Sequence, residues 1–118
     1  MGRMTYGLLV SRLWRRCMDS QQGVGLKFDG GKTRWSLLPL KAIEEQAKVM
    51  GFGAEKYEAH SWKHVPNGIE RYTDAAYRHL VAYTQGEHTD PESGYHHLAH
   101  ALCCISFVLE LEVENESK

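Results

Sequence analysis

The stretch that decides the fold is Asp90-Pro91-Glu92-Ser93-Gly94-Tyr95-His96-His97-Leu98-Ala99-His100-Ala101-Leu102-Cys103-Cys104-Ile105-Ser106-Phe107-Val108-Leu109-Glu110-Leu111. Asp90 suits a cap, Pro91 a first helical turn, and Glu92 the positive end of a helix. The segment predicts a helix from Asp90 to about Val113. From Leu98 to Leu109 it is apolar nearly all round, which marks it as the most buried element. Working back, Ile69, Tyr72, Ala76, His79, Leu80 and Tyr83 recur at helical spacing before Gly86, and predict a helix over 69–84. The short link between the two predicts antiparallel packing. Before the Pro66, Asn67-Gly68 loop, Leu40, Ile43, Ala47 and Met50 predict another helix starting near Pro39. Gly51 and Gly53 are expected to interrupt it, with 54–57 forming one further turn. No strand alternation persists. The reading is an all-α antiparallel bundle of three to four helices, completed by oligomerisation as a homodimer or homotetramer, because these helices alone leave too much apolar surface.

The 118 residues suit one domain. We divide them into an N-terminal extension (1–26), a helical domain (27–113) and an acidic tail (114–118). The extension reads either as residues upstream of a start at Met18 or as a short amphipathic helix (Leu8, Leu9, Leu13, Trp14) that packs on a partner. A net charge of −1 argues against a nucleic-acid binder. The basic start and acidic end read as solvated tails. No stretch is long enough for a membrane span, and Tyr6 to Val10 is too short for a signal core. Three cysteines, two of them adjacent, make a poor disulfide framework. They point to a reducing, cytoplasmic setting, with Cys103 and Cys104 as packing residues.

Seven histidines are many for this length. His97 and His100 lie three apart on one helix, and His79 faces the partner helix. With Glu87, Asp90 and Glu92 in the connecting turn, they form a candidate ligand set for a divalent metal, Mg²⁺ or Mn²⁺ first and Zn²⁺ or Fe as alternatives. The plainer reading of each histidine is a hydrogen-bonded core residue. Asp74 and Arg78 fit an intrahelical ion pair; Arg78 equally fits a phosphate clamp. Lys56, Tyr57 and Trp62 fit either a nucleotide contact or a small aromatic cluster under a loop. Gly30-Gly31-Lys32 lacks P-loop spacing, since Leu26 stands where the first glycine belongs. Lys32 remains a candidate phosphate contact.

An ordered set of motifs then carries a resemblance: Lys27-Phe28-Asp29-Gly30-Gly31-Lys32, Leu37-Leu38-Pro39, Gly53-Ala54-Glu55-Lys56-Tyr57, Trp62, Arg78-His79-Leu80, Gly86-Glu87, Asp90-Pro91-Glu92-Ser93-Gly94 and His97-Leu98-Ala99-His100-Ala101. The chain from about Lys27 to Leu111 resembles a phage and prophage family described as dATP/dGTP diphosphohydrolase-like, related by that description to MazZ and the MazG pyrophosphohydrolases. The resemblance implies metal-dependent hydrolysis of a purine deoxynucleoside triphosphate to monophosphate and pyrophosphate, in the host cytoplasm if the chain is phage-encoded. It implies His79, Glu92 and His97 as catalytic candidates, and His79, Asp90, Glu92, His97 and His100 as metal candidates. Lys32, Lys56, Tyr57, Trp62 and Arg78 are the implied substrate contacts. Two departures stand out. Ser61 precedes Trp62 where asparagine is expected, and the paired carboxylate motifs of MazG enzymes are incomplete: Lys48 follows Glu44-Glu45, Glu55 and Glu58 fit the first half, and the best partner for the second, Glu87 to Asp90, falls in a turn. The alternative function is a non-catalytic protein that sequesters a nucleotide.

Overall fold

The computed structural model describes residues 25–118; both readings of the N-terminal extension lie outside them except for its last two residues. The chain forms two compact units, Met1–Leu37 and Leu38–Lys118. The division thus falls within the expected domain 27–113. In the first unit, Lys32 N–H donates to Asp29 carbonyl oxygen at 3.0 Å across a turn, and Trp35–Leu37 form one 3₁₀ turn. None of the described residues there is buried.

The second unit is all-α. Helix α1 spans Leu40–Lys56, α2 Gly68–Thr84 and α3 His97–Glu116; a 3₁₀ turn, Ser61–His64, follows α1. Helix α1 runs unbroken through Gly51 and Gly53, contrary to the expected interruption. Each glycine costs about 1 kcal/mol against alanine in a helix. Packing offsets this cost: Met50 lies against the core, and Phe52 meets Tyr95 edge-on at 6.2 Å.

Both α1 and α2 run antiparallel to α3. Gln46 Nε2 donates to Ser106 Oγ at 2.8 Å, while Phe52 reaches back to Tyr95. Gly68, at the start of α2, lies beside Leu111 near the end of α3, and His79 meets His97 at its start. A Cβ at Gly68 would sit 3.4 Å from Leu111 Cδ1, an ordinary van der Waals contact that places these helix ends side by side. The core is Val49, Ala99 and Cys103, flanked by Met50, Tyr95 and Phe107. Helix α3 holds more of the buried residues than any other element, as its apolar composition predicts. Yet Ile105, Leu109 and Val113 are exposed, so one side of it is uncovered. Leu80 and Tyr83 of α2 are likewise more open than the inward stripe suggests.

Helix α3 starts seven residues later than expected. Asp90-Pro91-Glu92 serves a turn instead: Asp90 Oδ1 accepts from Glu92 N–H at 3.1 Å, and Gly94 N–H donates to Asp90 carbonyl oxygen at 2.8 Å. Asp followed by Pro opens turns as well as helices. Gly94 decides between them, because its φ of 78° ends any helical run. Thr89 bridges to His96, and the helix begins after His96, whose ring accepts from Leu98 N–H. At the other end α3 continues through Glu114 to Glu116, so most of the supposed tail is helix.

Candidate functional site

The end of α2 is closed by a Schellman motif. Glu87 N–H donates to Ala82 carbonyl oxygen and Gly86 N–H to Tyr83 carbonyl oxygen, both at 3.0 Å, with Gly86 at φ 97°. This reversal turns Glu87 back toward the start of α3. There Glu87 Oε1 lies 2.7 Å from His97 Nε2, and His97 Nδ1 lies 2.9 Å from His79 Nδ1. His79 also stacks on His100, with ring centroids 4.6 Å apart and planes 11° apart. The Nε2 of His100 meets Ser93 Oγ at 2.6 Å and Asp90 Oδ2 at 3.3 Å. Three histidines thus converge where α2, α3 and their connecting loop meet.

A cleft of about 390 Å³ opens beside them, a size that suits a small ligand. Its polar lining includes His79, His100, Asp90, Glu92, Lys56 and Glu58. Its other side is aromatic, with Phe52, Tyr57, Trp62, Tyr72 and Phe107. His97 does not line it; with 5% of its surface exposed, it stands behind His79. Lys56, at the end of α1, pairs with Glu92 across the mouth and lies 5.1 Å from the Tyr57 ring centroid. Trp62 stacks on Phe107 at 4.5 Å, and Lys63 sits 5.6 Å from the Trp62 ring centroid. The open aromatic face is therefore Tyr57, which is 71% exposed.

Burial, then the neighbouring His100 and His97, holds His79 below the ordinary histidine value. Burial also lowers His100, against the pull of Asp90. Both rings are held toward their neutral, lone-pair-bearing form. Burial pushes the Cys103 thiol up to about 12 and Cys104 to about 11, so both behave as packing groups rather than thiolates.

Of the expected site residues, His79, Asp90, Glu92, His100, Lys56, Tyr57 and Trp62 share the cleft, and His97 adjoins it. Arg78 is exposed and does not line it, and no Asp74–Arg78 ion pair forms among the described residues. Lys32 belongs to the other unit. Among the described residues no three His, Cys, Asp or Glu side chains are grouped so as to hold a metal ion. Both nitrogens of His97 are hydrogen-bonded, His100 Nε2 is taken by Ser93 and Asp90, and Glu92 by Lys56. Ser93 and Phe107 are site residues that sequence reasoning missed. Phe107 follows His100 and Cys104 at helical spacing, a signal that core packing explains equally well.

The fold and cleft define a small α-helical unit with an aromatic, histidine-lined ligand site. Residues 22–118 match the family model described as dATP/dGTP diphosphohydrolase, N-terminal, and the chain belongs to that family. A relative from Salmonella phage PMBT28, a dATP/dGTP diphosphohydrolase, is 38% identical over 87 residues, covering 74% of this chain and 29% of the relative. The chain thus spans less than a third of that protein's length. No solved structure matches it.

Proposed function

We propose that the cleft binds a purine deoxynucleoside triphosphate and that the chain takes part in its hydrolysis to monophosphate and pyrophosphate in phage nucleotide metabolism. The observation that carries this is the pairing, in one cleft, of Lys56 and an open Tyr57 ring with the neutral-leaning His79. The base lies against Tyr57, and Lys56 meets phosphate. Water attacks the α-phosphorus, pyrophosphate leaves, and His79 accepts the proton that the water gives up. Carboxylates at the cleft would hold a divalent metal together with the nucleotide phosphates, and the metal would neutralise phosphate charge there; Mg²⁺ typically uses one or two carboxylates together with substrate phosphates. Asp90, Glu92 and Glu58 are the carboxylates that line the cleft.

The test is incubation with dATP or dGTP and Mg²⁺ or Mn²⁺, following pyrophosphate. Release by the intact chain that disappears in His79→Gln supports the reading; absence of turnover with either nucleotide and either metal refutes hydrolysis. A second reading, nucleotide sequestration, draws on the finding that no side-chain group able to hold a metal ion is assembled among the described residues. It predicts nucleotide bound tightly and recovered intact after denaturation. The apolar face of Tyr77, Leu80, Ile105 and Leu109 supports self-association, proposed here as a homodimer or homotetramer.

A further inference from the structure

We infer that Glu87, acting through His97, is a positioning residue that fixes the His79 ring with its proton on Nδ1 and a lone pair on Nε2. Glu87 is 56% exposed on its side chain, so water stabilises its charge, and an ionised carboxylate only accepts hydrogen bonds. At 2.7 Å from Glu87 Oε1, His97 Nε2 must therefore carry a proton. A neutral imidazole has a single N–H, which leaves His97 Nδ1 as an acceptor. Its partner at 2.9 Å is His79 Nδ1, which must then donate. The proton of a neutral His79 is thereby placed on Nδ1, on the side facing buried His97. Nε2, the other ring nitrogen of a residue that lines the cleft, keeps its lone pair.

Each step in this relay has a local cause. The Schellman reversal at Gly86 returns Glu87 to α3. His97 is the first residue of α3, its N–H held by His88 carbonyl oxygen at 2.8 Å. The antiparallel pairing of α2 and α3 brings His79 opposite. The same logic sets the tautomer of many functional histidines, where the bond made by one ring nitrogen determines what the other can do. The use of that lone pair in hydrolysis rests on the function proposed above; the tautomer itself does not.

The experiment is ¹⁵N NMR of the histidine rings in the full chain at pH 8, where two-bond correlations distinguish the two ring nitrogens. The wild type is expected to show His79 with Nδ1–H over Nε2–H by about tenfold or more, the preference one charge-assisted relay sustains. Glu87→Leu, at an exposed position, removes the acceptor, and His79 should relax to a mixture. His97→Phe removes the acceptor for His79 directly and should move the proton to Nε2. If that variant fails to fold, Glu87→Leu decides the matter. An Nε2–H majority or an imidazolium on His79 in the wild type overturns the inference, as does an unchanged Nδ1–H majority in Glu87→Leu. Turnover is measured separately, so loss of the relay and absence of hydrolysis are told apart.

Discussion

Replacing Phe107 with alanine tests how the cleft wall is held up. Phe107 is half-buried on α3, stacks on Trp62 at 4.5 Å with planes 15° apart, and meets Tyr72 edge-on at 4.9 Å. It also packs on the Val49–Ala99–Cys103 core. Truncating a fully buried phenylalanine costs about 3–5 kcal/mol. For a half-buried ring roughly 2–3 kcal/mol is expected, of which the two aromatic pairs supply about 1–2 kcal/mol. In a unit of this size that lowers Tm by about 8–24 °C. Phe107→Leu, which keeps most of the volume and loses the ring pairs, should cost about 1 kcal/mol. The assay is urea and thermal unfolding followed by circular dichroism, with a double-mutant cycle against Trp62→Leu. A coupling of about 0.5–1.5 kcal/mol is expected. Strict additivity in the cycle, or a Phe107→Ala loss below about 0.5 kcal/mol, would refute the claim that stacking supports the wall.

Three further outcomes follow from the same geometry. The folded-state values of His79 and His100 lie below the unfolded value of 6.5, so the unfolded chain binds more protons as pH falls. Their contribution to stability is complete above about pH 6.5 and is lost below it, with a slope of at most about 1.4 kcal/mol per pH unit for each ring. Urea midpoints between pH 5 and 7.5 should show this slope, and His79→Gln with His100→Gln should flatten it. Lys56→Ala should weaken dATP or dGTP binding about tenfold in a fluorescence titration; equal affinities would remove Lys56 from the phosphate site. Leu109→Lys, at a 62% exposed position on the apolar face, should reduce self-association in sedimentation velocity, whereas a wild-type chain that sediments as a monomer would dispose of the oligomer proposal.

Periodicity located all three helices because burial along one stripe is a local property of the chain. The antiparallel pairing of α2 with α3 also followed from the short link between them. Helix limits were harder to read where a residue suits two structures. Asp90-Pro91 fits a helix start and a turn alike, and only the bridge between Thr89 and His96, with Gly94 at positive φ, settles the choice. Gly51 and Gly53 weaken a helix locally, but tertiary packing on Tyr95 and the core outweighs them. At the site, helical spacing brought out His79, His97 and His100. It could not show that their nitrogens face one another rather than a common point. That depends on register between helices, to which a single sequence is nearly blind.

The consequence of that register is a site whose polar groups are largely occupied by one another. His97 is held between Glu87 and His79, His100 between Ser93 and Asp90, and Lys56 against Glu92. These contacts differ in what it takes to exchange them. His97 itself is buried, and breaking either of its contacts strands a buried nitrogen, so they act as fixed scaffold. The Lys56–Glu92 pair is exposed, and exposed ion pairs contribute little because water competes for both charges. On the proposed function, a triphosphate, with more negative charge than one carboxylate, would draw Lys56 away at small cost. Glu92 would then be released beside Asp90 with phosphates present to share a cation. On this reasoning the carboxylates would become available only with the nucleotide, so a metal that arrives with the substrate needs no cage assembled beforehand. The Lys56→Ala variant separates the two halves of the idea: it loses the phosphate contact but leaves Glu92 unpaired. Mg²⁺ or Mn²⁺ alone should then bind the variant more tightly than the wild type by calorimetry, and weaker or equal binding would refute the exchange.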